Sequence, residues 1–246
     1  MRGVIVVTND DGYESEGLLV LVRALRRIGR VCVVAPQRPC SASAHSITIR
    51  RRPAVQSMGE KDGARWFVVD GTPADCILYA MPEVVEERVR IVVSGINLGA
   101  NVGVNVHYSG TVAAAKQGLL QGIPSLAVSI DSREPQHLET AAQVALRWSR
   151  LLLAVDPPEP LCLCINVPDV APHQLRGETL VRQDLSAVVG EFGTESGVEN
   201  VGKAFPTDVE ALSAQMVTVL PVTVDATSAW GLKRVQELEE RFWSRG

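Results

Sequence analysis

The sequence predicts an α/β fold, in which a mostly parallel sheet carries helices on both faces and a smaller C-terminal extension of strands and a helix follows. Two observations predict this class. Through roughly the first two thirds of the 246 residues, short apolar runs alternate with segments whose apolar residues recur at helical spacing. The apolar runs are also continuous, which is typical of strands buried on both faces. We expect residues 1–168 to form the core and residues 169–246 the extension.

The first half of the chain begins with strand and helix patterns in alternation. The predicted elements are a strand at 3–8, a helix at 14–28, a strand at 31–35, an edge strand at 46–50, a strand at 66–69 and a helix that starts near Pro73. The first helix is predicted from leucines at helical spacing. Pro36 ends the second strand, and Thr72 before a proline is a typical helix start. Segment 46–50 is assigned as a strand because apolar and polar residues alternate in it.

The alternation continues through the middle of the chain. The predicted elements are a strand at 90–94, a glycine-rich loop from Gly95 to Gly110, a helix at 111–121, a strand at 125–130, a helix at 136–154 and a strand at 161–167. The strands are again continuous apolar runs, and the helices lie between them. This order indicates parallel strands joined by helical crossovers.

After Pro168 the pattern weakens, and residues 184–206 show no clear period. Residues 216–220 and 222–224 are predicted as strands separated by Pro221. An amphipathic helix is predicted at about 228–243. Its apolar residues are Trp230, Leu232, Val235, Leu238, Phe242 and Trp243. A lone terminal helix facing water cannot bury such a set, so we expect it to pack on the sheet or on a second subunit.

Composition excludes several classes of protein. The net charge is −4, and the one basic block, Arg50–Arg52, is too short to indicate nucleic-acid binding. No apolar run is long enough to cross a bilayer. No signal segment precedes the first strand, so we expect a cytoplasmic protein. The five cysteines are scattered without a C-x-x-C pair, which argues against a zinc site or a disulfide framework.

The first strand leads directly into two adjacent carboxylates, Asp10 and Asp11, followed by Gly12. Neighbouring negative charges repel, and a divalent cation neutralises them well because hard cations prefer oxygen ligands. Ligands of open α/β sheets sit at the carboxyl ends of the strands. A metal site there is one interpretation. The alternative is an exposed acidic turn that stabilises the start of the next helix.

Further polar loops follow the other strands and are expected to meet the acidic pair at the same sheet edge. Ser41 and Asn97 offer neutral oxygen ligands there, although both are also ordinary turn residues. Ser109, Gly110 and Thr111 open a helix, whose outward N–H groups and dipole suit a phosphate. The alternative for this stretch is an ordinary helix cap. Together these residues form the set that a divalent metal facing a phosphate needs.

Other polar residues near these loops have less specific interpretations. His45 and His107 fall in the same loops and are candidates for acid or base catalysis, or for hydrogen-bonded bystanders. Asp70 and Asp75 flank a helix start, and we interpret that segment mainly as structural.

Five stretches of the chain together resemble the SurE family, the survival protein E nucleotidases. They are T-N-D-D-G at 8–12, V-A-P at 34–36 with segment 41–49, G-T-P-A-D-C at 71–76, S-G-I-N-x-G-x-N-x-G at 94–103 and Y-S-G-T-V-A-A-A at 108–115. The resemblance is strong over about 1–130 and weaker at 165–168, 207–208 and 217–224. Two departures are Ala42, where the family often has glycine, and Lys116-Gln117, where it often has an acidic residue.

The resemblance implies a Rossmann-like fold and a metal-dependent phosphatase that hydrolyses nucleoside 5′- and 3′-monophosphates, with polyphosphate as a further substrate. It implies one divalent cation per subunit, Mg²⁺, Mn²⁺ or Ca²⁺, and a homodimer or homotetramer formed through the C-terminal part. No nucleic-acid polymer and no membrane is expected as a partner. The implied metal ligands are Asp10, Asp11, Ser41 and Asn97, of which the two carboxylates are also catalytic. The implied phosphate-binding residues are Asn9, Ser109, Gly110 and Thr111.

Three rival functions are weighed against this one. A haloacid-dehalogenase-type phosphatase needs a nucleophilic aspartate where this chain has Asn9, which cannot form an aspartyl-phosphate. A signalling receiver domain also has paired acidic residues after the first strand, with Asp70 as the phosphorylated residue. The long 95–110 loop and the large C-terminal part do not suit a receiver. The third rival is a non-catalytic protein that binds nucleotide without releasing phosphate.

Overall fold

The computed structural model describes residues 3–155, 159–186 and 204–243 and has a single nine-stranded sheet. The strands are β1 (Val4–Thr8), β2 (Arg30–Pro36), β3 (Val55–Lys61), β4 (Ala64–Val69), β5 (Val89–Leu98), β6 (Ser125–Ile130), β7 (Cys162–Val167), β8 (Glu178–Leu180) and β9 (Val217–Val222). Their order across the sheet is β3-β4-β2-β1-β5-β6-β7-β9-β8. Only the β3–β4 and β7–β9 pairs are antiparallel. The predicted α/β class with a mostly parallel sheet is confirmed.

The helices are α1 (Glu16–Leu25), α2 (Pro73–Asp75), α3 (Met81–Val84), α4 (Gly110–Leu120), α5 (Leu138–Ala154), α6 (Asp208–Ser213) and α7 (Ala229–Trp243). A π-helical turn, Cys76–Ala80, joins α2 to α3. Short 3₁₀ turns occur at Gly103–His107 and Pro172–Gln174. Most predicted elements are present, with ends that differ by a few residues from the sequence pattern.

Helices cover both faces of the sheet, as the continuous apolar strands require. On one face, apolar residues of α1 and α5 pack on alternate residues of the central strands, such as Val7 of β1 and Val93 of β5. On the other face, the segment from α2 to α3 and helix α4 pack on the intervening residues, such as Val6. Because the central strands β1, β2, β5, β6 and β7 are buried on both faces, apolar and polar residues do not alternate along them.

The strand order of the sheet reverses at β1. Strands β2 and β4 are added on one side of β1, and β5, β6 and β7 are added on the other. In open α/β sheets, ligands bind in the crevice at the carboxyl ends of the strands where the order reverses. The crevice between β1 and β5 is therefore the expected position of a ligand, and Asp10 directly follows β1.

Two strand predictions are wrong. Segment 46–50 is a loop, and the edge strand is β3, which pairs with β4. The predicted break at Pro221 is absent, because β9 runs through this proline. Strand β8 pairs with β9 only over 217–219, so Pro221 lies where β9 has no neighbour on that side. A proline is tolerated there, since it lacks only an unused N–H donor.

The residues after 168 contribute both to the sheet and to a separate helix. Strands β8 and β9 extend the sheet of the first part of the chain, whereas α7 has no buried residue. The division at residue 168 stays a prediction. The patternless stretch 184–206 lies mostly outside the described residues. Within the described ranges, no helix has both the length and the apolar character needed to cross a bilayer.

Candidate active site

Polar residues from four chain segments meet at the carboxyl end of β1. Asp10 and Asp11 follow this strand, and the 37–46 loop follows β2. Asn97 lies near the end of β5, and the first turn of α4 closes the group. The 37–46 loop is tied to the acidic pair, because the Cys40 N–H donates to the Asp10 carbonyl at 2.7 Å. The topology thus brings together residues that are far apart in sequence.

Asp10 is buried, with 4% of its surface exposed. The Thr111 hydroxyl of α4 donates a short hydrogen bond to Asp10 Oδ1. Burial raises the pKa of Asp10, and hydrogen bonds from the Thr111 side chain and from nearby backbone N–H groups oppose that rise. The carboxylate is therefore held by the helix start rather than by a basic side chain.

Gly110 permits the close approach of α4 to Asp10. A Cβ on this glycine would lie 2.8 Å from Ser43 Oγ, 2.9 Å from Asp10 Cβ and 3.0 Å from Asp10 Oδ2. These distances are too short for a side chain on the rigid backbone. The glycine is therefore needed so that Asp10, Ser43 and the first turn of α4 can pack together.

Asp11 lies beside Asp10 and is less deeply buried. Burial, and then the negative charge of Asp10, raise the pKa of Asp11 to about 6, while the Leu98 backbone opposes the rise. Its Oδ2 atom is closed to solvent and has no hydrogen-bond partner. A buried carboxylate oxygen without a partner is costly and calls for a positive ligand.

The two residues predicted from the sequence as neutral oxygen ligands, Ser41 and Asn97, each adjoin a residue that contacts the acidic pair. Asn97 directly precedes Leu98, whose backbone interacts with Asp11. The Asn97 amide nitrogen donates to the Gly99 carbonyl at 2.6 Å, which leaves its Oδ1 as an acceptor. Ser41 is exposed and follows Cys40, the residue that is bonded to Asp10.

The donor set fits a hard divalent cation. It consists of carboxylate, amide and hydroxyl oxygens, which suit Mg²⁺, Mn²⁺ and Ca²⁺. Asp11 Oδ2 has no hydrogen-bond partner, so it is a carboxylate oxygen left over for such a cation. Among the described residues, no group of three or more His, Cys, Asp and Glu side chains could hold a metal. A site at Asp10 and Asp11 would therefore depend on neutral oxygens as well.

The first turn of α4 contains the residues that the sequence predicts to bind a phosphate. Ser109 is its N-cap, and the Ser109 Oγ accepts from the Val112 N–H at 3.1 Å. The helix cap, which was the alternative interpretation of this stretch, is present, and the phosphate site stays a prediction. The Ser109 hydroxyl proton is not used by the capping bond. Ser43 Oγ, next to Gly110, is buried without a partner. The sequence did not single out Ser43, whose position becomes informative only through its contact with Gly110.

Asn9 lies within the β1–α1 turn and is fully buried. Its amide nitrogen donates to the Gly12 carbonyl at 2.8 Å and to Ser15 Oγ at 2.7 Å. Ser15 in turn caps α1 by accepting from Leu18. The Asn9 Oδ1 atom has no partner. Asn9 therefore fixes the turn that presents the two carboxylates, and a contact with phosphate stays a prediction.

Buried polar residues hold the loops around the site. The Asp75 carboxylate accepts from the Thr48 N–H and hydroxyl and from the Thr72 N–H, so its predicted structural role is confirmed. Asn166 Oδ1 accepts from the Asn101 N–H at 2.7 Å. Asp208 Oδ2 accepts from the Gly103 N–H at 2.8 Å. The last two bonds anchor the glycine-rich loop to β7 and to the C-terminal part.

The two loop histidines differ in environment. His45 Nε2 lies 3.0 Å from Gln117 Oε1 on α4 and is half-buried. His107 is exposed at the end of the 3₁₀ turn. Neither histidine has a described hydrogen bond to Asp10 or Asp11. The two carboxylates, and not the histidines, are therefore the main catalytic candidates.

Comparison with known proteins assigns the chain to a family. The family model described as "Survival protein SurE" matches residues 5–188. The chain belongs to the SurE family. A SurE-family relative from Pelobacter propionicus, named 5′-nucleotidase SurE, is 37% identical over 93% of this chain and 96% of its own length. A relative of the same name from Alkalilimnicola ehrlichii is 38% identical over 94% and 93%.

A solved structure supports the same assignment. The crystal structure of the SurE protein from Aquifex aeolicus superposes with a TM-score of 0.79 at 32% identity, covering 96% of this chain and 99% of that one. The family resemblance inferred from the sequence motifs is confirmed. The SurE assignment covers the part of the chain that carries Asp10, Asp11, Ser41, Asn97 and the first turn of α4.

Proposed function

We propose that this protein is a metal-dependent phosphatase that hydrolyses nucleoside 5′- and 3′-monophosphates to nucleoside and phosphate, with polyphosphate as a further substrate. The observation that carries the proposal is the meeting of the Asp10 carboxylate with the first turn of α4 through Thr111 and Gly110. This arrangement supports the proposal because a carboxylate that could bind a metal lies beside a helix start that could bind a phosphate. The names of its full-length relatives, 5′-nucleotidase SurE, support the choice of nucleotides as substrates.

Asp10, Asp11, Ser41 and Asn97 would hold one divalent cation per subunit, Mg²⁺, Mn²⁺ or Ca²⁺. The partnerless Oδ2 of Asp11 and the free Oδ1 of Asn97 support this set. When bound, such an ion polarises a phosphoryl oxygen and lowers the pKa of water. Asp10 and Asp11 are the proposed catalytic residues, because a carboxylate beside a bound phosphate can orient an attacking water and accept its proton.

The substrate phosphate is proposed to bind at the start of α4. The Ser109 hydroxyl would donate to a phosphate oxygen, and the Gly110 and Thr111 N–H groups, which interact with the Asp10 carboxylate in the structure, would turn to the phosphate when a cation binds Asp10. The helix dipole would stabilise charge that develops on the phosphate. Gly110 leaves room for that approach. Thr111 holds Asp10 in place through its hydroxyl. Asn9 remains in the proposed set, and a direct contact would require its amide nitrogen to leave Gly12 or Ser15.

Phosphate release from a panel of nucleoside monophosphates tests the proposal. The panel contains 5′ and 3′ isomers and polyphosphate, each with Mg²⁺, Mn²⁺, Ca²⁺ or chelator. We expect metal-dependent release from the nucleotides, and we expect Asp11→Asn to remove most of it. The same change at exposed Asp225 is the matched control and should leave release unchanged. Nucleotide binding without release by the folded protein would instead favour a non-catalytic nucleotide-binding role.

We also propose that the protein forms a homodimer or homotetramer through its C-terminal part. Helix α7 buries none of its residues in the single chain, although Trp230, Phe242 and Trp243 lie on it and are all mostly exposed. Such an apolar surface requires a partner, and no nucleic-acid polymer or membrane is proposed for that role. All five cysteines are free, which suits the reducing cytoplasm as the place of action.

A further inference from the structure

Tyr108 directly precedes Ser109, the N-cap of α4, and so stands at the edge of the proposed phosphate site. Half of its surface, 50%, is exposed, and its hydroxyl has no described hydrogen bond. The ring is not part of the described apolar clusters of the core. By contrast, Tyr13, which follows β1, packs against the core. Tyr108 therefore has no evident packing role that would account for an aromatic residue here.

The backbone of Tyr108 is fixed on both sides. Its carbonyl accepts from the Ala44 N–H at 2.9 Å, and its own N–H donates to the Asn105 carbonyl at 3.0 Å. The preceding 3₁₀ turn is in turn anchored at Gly103, which Asp208 and Gln183 hold through its N–H and its carbonyl. A ring presented from a fixed backbone loses little conformational entropy when it binds a ligand, since tyrosine has only two side-chain torsions.

The organic part of a substrate bound at the proposed phosphate site extends from the start of α4, which Tyr108 directly precedes. When a phosphate occupies the start of α4, the organic part of a phosphomonoester must leave the site on the solvent side. Tyr108 is a half-exposed aromatic residue that directly precedes that start. Nucleobases stack on aromatic side chains, and this interaction tolerates all bases because each has a π-face.

We propose that Tyr108 is the binding residue for the base of the substrate, which stacks on its ring. This inference rests on the proposed nucleotidase function and deepens it. Tyr108 would distinguish nucleoside monophosphates from phosphomonoesters without a base, while discriminating only weakly among bases. Stacking grows with the overlapping area, so purine nucleotides bind more tightly than pyrimidine nucleotides at this ring.

The test compares AMP with ribose 5-phosphate, which has the same sugar and phosphate but no base. Steady-state hydrolysis of both is measured with Mn²⁺ for the wild type, Tyr108→Leu and Tyr108→Phe. We expect Tyr108→Leu to raise the KM for AMP by about tenfold and leave that for ribose 5-phosphate unchanged. Tyr108→Phe should behave as the wild type. Met58→Ala, a half-exposed side chain on edge strand β3, is the control and should change neither KM.

Other outcomes overturn the inference. An equal rise in both KM values would mean that Tyr108 shapes the loop, and no rise would mean that it does not touch the substrate. Calorimetric titration of AMP with Mn²⁺ into the same full-length variants with Asp11→Asn added, which removes most turnover, keeps the test separate from hydrolysis. If the wild type hydrolyses neither compound, the proposed function fails. An AMP affinity weakened about tenfold by Tyr108→Leu alone would still support stacking, whereas an unchanged or undetectable affinity would refute it.

Discussion

At the residue scale, Asp10 and Asp11 are unfavourable to stability in two ways, because both are at least partly buried and because their negative charges are adjacent. Burial raises the pKa of both, and the charge of Asp10 adds to the rise at Asp11. No basic side chain makes a described ion pair with either residue, and the compensating groups are a hydroxyl and backbone N–H groups. Residues that lower stability without a structural partner are typical of functional sites.

This arrangement predicts how Asp11→Asn alters the stability of the metal-free protein. The pKa of Asp11 is raised from 3.8 to about 6 in the folded state. The folded state therefore binds more protons between these values, and stability falls as pH rises through that window. An asparagine avoids this loss, so above pH 6 we expect Asp11→Asn to be more stable by about 1–2 kcal/mol, allowing for partial solvent screening.

Chemical unfolding in chelator, from pH 4 to pH 8, checks this expectation. The stability difference between Asp11→Asn and the wild type should grow with pH and level off above about pH 7. Asp225→Asn is the control with the opposite sign. Hydrogen bonds from Thr227 lower the pKa of Asp225, so this carboxylate contributes stability above its unfolded pKa that is lost as pH falls. A difference for Asp11→Asn that does not vary with pH would contradict the assigned environment.

The sequence was informative about residues whose chemistry contrasts with their neighbours. Asp10 and Asp11 stand out because charges follow an apolar strand, and Ser109 stands out because a hydroxyl precedes a helix. Ser43 and Asn166 do not stand out in the same way. Their importance arises from contacts with Gly110 and Asn101, which are distant in sequence. Such contacts exist only after the sheet has brought its loops together.

At the element scale, helix α4 connects the core to the site. Its buried side packs on β5 and β6, and its first turn lies against Asp10. Thr111 and Gly110 occupy successive positions of that turn and both contact the same carboxylate. A small displacement of the turn would therefore alter both the position of Asp10 and the N–H groups that are proposed to bind the phosphate.

We expect Gly110→Ala to lower kcat/KM for nucleotides by more than tenfold and stability by about 1–3 kcal/mol, the usual cost of overpacking. The added methyl would lie 2.8 Å from Ser43 Oγ and 2.9 Å from Asp10 Cβ, so the helix start must move. Kinetics and thermal unfolding measure both effects. The matched control is Gly29→Ala, whose methyl would meet only the flexible end of Ile5, at 3.2 Å. Wild-type activity in Gly110→Ala would show that the turn does not contact the reacting groups.

The errors in the strand predictions have a common physical cause. Strand β3 is exposed along almost all of its length, so it has no apolar pattern, and its pairing with β4 alone defines it. Segment 46–50 has the alternating pattern, yet Ile47 and Ile49 are exposed and Thr48 is bound by Asp75. The spacing of apolar residues in a sequence predicts which residues are buried. Edge strands bury few residues, so this spacing predicts them least well.

At the scale of the whole molecule, the C-terminal part helps to build the site. Strand β9 pairs with β7, and Asp208 at the start of α6 reaches back to the glycine-rich loop. Its other oxygen accepts from the Asp184 and Val209 N–H groups. This buried carboxylate therefore joins three separate chain segments, one of which leads to Tyr108 and Ser109.

Asp208→Asn is expected to lower stability by about 1–3 kcal/mol, because one of these N–H donors would then face an amide nitrogen instead of an acceptor. The loop before α4 should loosen, and kcat/KM should fall while α4 itself stays folded. Hydrogen exchange of 103–109 and phosphate release measure the two effects. The same substitution at exposed Asp225 should not alter exchange in this loop. Unchanged protection of the loop would contradict the role given to Asp208.

Helix α7 carries an exposed apolar face that bears on assembly. Val235, Leu238 and Phe242 are spaced to share one face of the helix, and each is about half-exposed or more. Burying one such side chain contributes about 1.5–3 kcal/mol, so the face would contribute substantially to a subunit contact. The double change Leu238→Glu and Phe242→Glu should therefore convert a wild-type dimer or tetramer to monomers in light scattering.

The fold of each subunit should survive that double change, because α7 buries none of its residues within one chain. The thermal midpoint of the dissociated protein then reports the stability of the sheet alone, and any concentration dependence of the wild-type midpoint should disappear. Lys233→Glu with Gln236→Glu, two changes at exposed polar positions of α7, is the matched control and should leave assembly intact. A wild-type protein that is monomeric at micromolar concentration would refute the proposed contact, since it would show that the apolar surface of α7 is not covered by a second copy.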